Sequence, residues 1–69
     1  MRNHLKVERA RMDLTQEELA DRVGVSRQTI NSIEKRRYVP STLLALKISR
    51  VLKKSVDELF ELEEPDWQR

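Results

Sequence analysis

Apolar residues recur along the chain at three- and four-residue intervals, the spacing that lines one face of a helix. Polar breaks divide that pattern into five short helices, at about residues 4–12, 16–23, 27–35, 42–52 and 56–60. Start signals mark the breaks. Thr15-Gln16-Glu17-Glu18 and Ser55-Val56-Asp57-Glu58 have the form of capping boxes, in which the first hydroxyl and the last carboxylate satisfy each other's free N–H groups. Leu14 and Leu19 fit the staple that accompanies the first box. Ser26, with Val25 and Ile30 as its staple pair, and Ser41, after Pro40, are further N-caps. Gly24 lies just past the second helix, where a left-handed residue closes the last turn. Leu5, Met12, Leu14, Leu19, Ala20, Val23, Val25, Ile30, Ile33, Ala45, Ile48, Leu52, Val56, Leu59 and Phe60 are expected to form one core. Phe60-Glu61-Leu62-Glu63 alternates apolar and acidic, the two-residue period of a strand; a strand-like tail and a frayed one both fit.

Only Gly24-Val25-Ser26 separates the second and third helices, a short Gly-containing turn of the helix-turn-helix kind. Ala20 is small where those helices must approach. Ile30 and Ile33 face inward at i, i+3 spacing and leave Arg27, Gln28, Asn31, Ser32 and Lys35 outward. An α-helix fits the major groove of B-DNA, whose base edges present donors and acceptors. Arg pairs with guanine, Gln with adenine, and the Thr29 methyl suits a thymine methyl. Arg27 and Gln28 occupy the first turn, the part of a recognition helix that reaches bases. Its N-terminus, capped by Ser26, favours phosphate, and Lys35-Arg36-Arg37 supplies cations for the backbone.

Composition narrows the alternatives. The 69 residues suffice for one small domain with a minimal core. Charged residues make up 38%, mostly helix formers, which points to an all-α class. Cysteine is absent and His4 is the one histidine, which argues against a zinc site or a catalytic triad; no cofactor, no metal and no enzyme activity are expected. No apolar run reaches the ~20 residues of a membrane span. Met1-Arg2-Asn3-His4 gives way to charged sequence without a signal-like apolar region, so a cytoplasmic, nucleoid-associated protein is expected. The net charge of +2 hides an asymmetry. Residues 1–54 carry 13 Lys/Arg against 6 Asp/Glu, a balance of +7, and residues 55–69 carry 1 against 6, a balance of −5. A basic body suits an anionic partner.

With these features in place, "LTQEELADRVGVSRQTINSIEKRRYVPS" resembles the Xre family of lambda-repressor-like and Cro-like helix-turn-helix regulators, over about Leu5 to Phe60. It looks closest to compact stand-alone members. The resemblance implies a five-helix lambda-repressor-like domain over residues 1–62, an acidic tail at 63–69, and homodimers on two-fold operators in double-stranded DNA. It implies that Gln16 meets a phosphate and braces the recognition helix. It also implies that Arg27, Gln28 and Ser32 read bases, that Thr29 and Asn31 meet bases or backbone, and that Lys35, Arg36, Arg37 and Tyr38 touch phosphates. Arg9 and Glu34 match a partly buried structural ion pair, with Arg9 on phosphate as the alternative.

The chain also departs from the family pattern. Val7 and Glu8 invert the usual polar-then-apolar order, which leaves a rotated first helix or a surface partner for Glu8. Lys53 stands where a left-handed Gly or Asn is usual, and Asp13 replaces a common Gly. Thr42 and Leu43 invert another apolar–polar pair, making Leu43, Leu44 and Val51 candidates for a dimer contact or for simple local packing, together with Phe60, Leu62 and Trp67. The acidic tail is a candidate to pair with residues near Met1. The leading expectation is a sequence-specific repressor. An antitoxin that binds DNA and a toxin protein is the alternative, and a pure protein-interaction module the third.

Overall fold

The computed structural model describes residues 1–68; Arg69, the last residue of the expected tail, lies outside them. Among the described residues, five helices and a two-stranded ribbon follow one another as β1 (Arg2–Asn3), α1 (Leu5–Arg11), α2 (Gln16–Val23), α3 (Arg27–Glu34), α4 (Thr42–Leu52), α5 (Val56–Leu59) and β2 (Phe60–Glu61), with a 3₁₀ turn over Glu64–Trp67 after them. The helices start where hydroxyl side chains satisfy free N–H groups. Thr15, Ser26, Ser41 and Ser55 accept from the backbone N–H of Glu18, Thr29, Leu44 and Glu58. The Thr15 and Ser55 caps are complete boxes, with Glu18 and Glu58 accepting from the cap N–H in return. Those bonds to the cap N–H groups, then to the cap hydroxyls, hold both carboxyls below their ordinary range.

Gly24 ends α2 at φ 77°. A Cβ there would meet nothing within 4 Å, so it is the backbone angle rather than crowding that calls for glycine. Asp13, Arg36 and Lys53 adopt the same left-handed region with side chains, at φ 58°, 62° and 57°.

Leu5, Leu19, Ile30, Ile33, Ile48, Leu52 and Leu59 are fully buried at the centre, one or more from every helix. Met12, Val25 and Val56, expected inside, pack only partly against that cluster, whereas Leu44, a dimer candidate absent from the expected core, belongs to it. The fifth helix closes one residue earlier than its apolar pattern suggests. Phe60 turns extended, at φ −127° and ψ 136°, and begins β2. β2 pairs antiparallel with β1, Asn3 opposite Phe60 and Arg2 opposite Glu61, tying the two ends of the chain together. Beyond it Glu63 caps the 3₁₀ turn, structure that four residues of alternation did not announce.

Helix α1 keeps Leu5 inward and leaves Val7 exposed. The inverted Val7-Glu8 order therefore turns a carboxylate toward the protein: the Glu8 side chain is only 12% exposed. Arg11 Nε stands 3.1 Å from Glu8 Oε1, near enough to neutralise it, but off-line for a hydrogen bond.

Candidate nucleic-acid interface

Helix α3 owes its orientation to Ile30 and Ile33, both buried. Once they are fixed, helical geometry decides what remains outside. Arg27, Gln28 and Lys35 are exposed; Asn31 and Ser32 are half-buried along the same outward side, and Thr29 is half-buried at its edge. Two hollows flank the row. Arg27, Gln28, Asn31 and Lys35 line one, a surface of donors and two cations. Gln28, Thr29 and Ser32 share the other with Arg37, Tyr38 and residues at the start of α4. Ser26 Oγ also lies 3.0 Å from Thr29 Oγ1, so the Thr29 hydroxyl is engaged by the cap.

The chain leaves α3 through Arg36 in the left-handed region. The Arg36 and Arg37 N–H groups donate to the carbonyls of Ile33 and Ser32 at 2.9 Å, which closes the helix end. Arg36, Arg37 and Tyr38 then stand exposed. Asn3 adds a bond from β1: its Nδ2 donates to the Ile33 carbonyl at 2.8 Å. Sequence reasoning passed over Asn3, because nothing local in Arg2-Asn3-His4 signals a partner thirty residues away.

Behind the outward row lies a polar network. Arg9 donates through Nε and Nη2 to Glu34 at 2.9 and 3.2 Å, and through Nη1 to the Leu14 carbonyl at 2.8 Å. The two side chains are 14% and 7% exposed. Gln16 Nε2 donates to Glu34 Oε1 at 3.0 Å and to Asn31 Oδ1 at 3.2 Å. Three elements, α1, the start of α2 and α3, are thus joined through one carboxylate.

The acidic tail folds back beside this surface. Glu63 Oε1 lies 3.6 Å from Arg36 and 3.0 Å from the Met1 amine, which Asp66 also holds. Hydrogen bonds to Asp66, then Glu63, raise the amine's pKa. Glu61 meets Arg2 and His4, each at 2.8 Å. The His4 hydrogen bond, then the Arg2 charge, lowers its pKa.

The six dimer candidates divide. Leu43, Leu62 and Trp67 are 65%, 61% and 75% exposed, and Val51 is half-buried. Leu44 and Phe60 are 7% and 9% exposed because they fill the chain's own core, which leaves little of either for a second copy. Val39 and Leu46, not singled out in the sequence, are exposed; together with Met1, Pro40, Thr42, Ala45, Val56 and Phe60 they line an apolar hollow. No helix among the described residues is long and apolar enough to cross a membrane.

Comparison with known proteins adds independent support. The model of the Helix-turn-helix family matches residues 5–59. An uncharacterized HTH-type transcriptional regulator of Archaeoglobus fulgidus is 46% identical over 70 residues, covering 100% of this chain and 99% of that one. The restriction-modification controller protein C.AhdI from Aeromonas hydrophila superposes with a TM-score of 0.75 at 30% identity, covering 81% of this chain and 85% of that chain. The clp gene regulator ClgR from Corynebacterium glutamicum gives a TM-score of 0.73 at 30% identity over 78% of this chain, which spans only 57% of ClgR.

Proposed function

The chain belongs to the helix-turn-helix family, among Xre-like DNA-binding transcriptional regulators, and from that premise we propose that it is a sequence-specific repressor that binds a two-fold operator as a homodimer, with α3 in the major groove. The observation that carries this reading is the division of α3: Ile30 and Ile33 buried, Arg27 and Gln28 free on the opposite side. In that reading Arg27, Gln28 and Ser32 meet base edges, with Thr29 and Asn31 beside them. Gln16, Ser26 and the exposed Lys35, Arg36, Arg37 and Tyr38 meet phosphates, which fix register without reading sequence. Occupying a promoter would repress it by excluding polymerase.

A second copy is favoured by the exposed apolar residues beside α4. Leu43 and Leu46 of α4 and Val39 just before it are exposed apolar residues that a second copy would cover. Two copies related by a two-fold axis would set their α3 helices ~34 Å apart, one turn of the duplex.

Selection of bound duplexes from random DNA tests the proposal. A two-fold consensus, with affinity that falls steeply as salt rises, is expected. A flat salt response, or bound sequences without a consensus, would overturn it. Light scattering on the free protein reports separately on the dimer.

A further inference from the structure

The Gln16 bonds do more than brace α3. A carboxylate only accepts hydrogen bonds, so Glu34, held by Arg9, meets Gln16 through the NH₂ end of its amide. That group has two hydrogens. One goes to Glu34 Oε1 at 3.0 Å and the other to Asn31 at 3.2 Å. Asn31 must therefore turn its oxygen back toward Gln16, since its own NH₂ there would set donor against donor. The relay starts at a largely buried ion pair and ends on a side chain that lines the outward hollow with Arg27, Gln28 and Lys35.

We infer that Asn31 is a specificity-determining residue whose amide is oriented by the Arg9–Glu34–Gln16 relay, its oxygen turned back to Gln16, so that its NH₂ donors are the end left for the DNA. This rests on the DNA-reading orientation of α3. An unrestrained asparagine reads adenine with both ends of its amide, donating to N7 and accepting from N6. The locked one favours a base whose major-groove edge presents acceptors alone, guanine or thymine, and disfavours the amino groups of adenine and cytosine. Gln16 then acts as a positioning residue for a base contact, and, with both side-chain hydrogens engaged, it meets a phosphate through its backbone N–H at the start of α2.

The test is site selection from random DNA with the full chain and four variants, read as base preference at each position. Asn31→Ala identifies the position Asn31 serves. There the unmodified protein should favour guanine or thymine over adenine by at least about fivefold. Gln16→Met removes the donor pair, and adenine should gain about fivefold at that position alone. Gln16→Lys restores donors for both Glu34 and Asn31 and should recover the original preference, whatever its ammonium adds to overall affinity. Asn31→Ala with Gln16→Met should match Asn31→Ala there, since without Asn31 no relay remains. Adenine already preferred by the unmodified protein, or Gln16→Met leaving the base preference at that position unchanged, would overturn the lock while leaving the DNA-binding proposal standing. The absence of any consensus would remove both. Circular dichroism confirms that each variant is folded.

Discussion

Arg9–Glu34 and Arg2–Glu61 are the same chemical pair at nearly the same separation, 2.9 and 2.8 Å. The first pair is 14% and 7% exposed and the second 57% and 43%. The distances predict equal value and the surroundings do not. Water and salt screen Arg2 and Glu61, and each loses little when the other is removed. Arg9 and Glu34 have given up most of their hydration, so each depends on its partner and on the Leu14 carbonyl and Gln16 amide around them. Burial also gives the inner pair a use that the outer lacks, since only a carboxylate that cannot turn to solvent fixes the direction of an amide relay.

The largest break in this comparison should come from Glu34→Ala. Stranding Arg9 should cost about 3–5 kcal/mol in urea unfolding. Replacing both partners, Arg9→Met with Glu34→Leu, should lose much less than the single change, because no charge is left unpaired. An equal loss would mean that the ion pair itself stabilises the fold beyond repaying its desolvation. Next in size, Lys53→Gly should raise stability by about 1 kcal/mol, by relieving a left-handed backbone that Lys tolerates poorly. Smallest should be Arg2→Ala, with no resolvable change in unfolding midpoint at physiological salt.

Acid sharpens the outer side of the comparison. Glu61, Glu18 and Glu58 have folded-state pKa values lowered from 4.5. A lowered carboxylate stabilises the fold fully above its unfolded value and stops doing so as pH falls through its folded one. Thermal melts should therefore be flat from neutrality to about pH 5 and decline below the ordinary value of 4.5. The Glu61→Gln variant should decline less.

The sequence and the structure agree where structure is local. Thr15, Ser26, Ser41 and Ser55 cap helices through groups three residues away, so hydroxyl spacing alone reveals them. Gly24 was legible for the same reason, and so was the buried pair Ile30 and Ile33. Leu44 was misplaced because two adjacent leucines at the start of α4 offer two faces, and only packing against other helices chooses between them. Asn3 on the Ile33 carbonyl, Asn31 facing Gln16, and Glu63 beside Arg36 join residues fifteen or more apart, beyond the reach of any periodicity. Arg36 in the left-handed region was illegible too, since nothing about an arginine signals it.

The central claim is that the outward side of α3 reads bases while the cations after it hold phosphate. Measuring the affinity of Arg27→Ala and Lys35→Ala for the selected operator and all its single-base changes tests it most directly. Arg27→Ala should cost about 1–3 kcal/mol and erase preference at one base pair in each half-site. Lys35→Ala should weaken every sequence alike and reduce the salt dependence by about one charge. If Arg27→Ala left every base preference intact, or Lys35→Ala altered the consensus, that account of α3 would be contradicted.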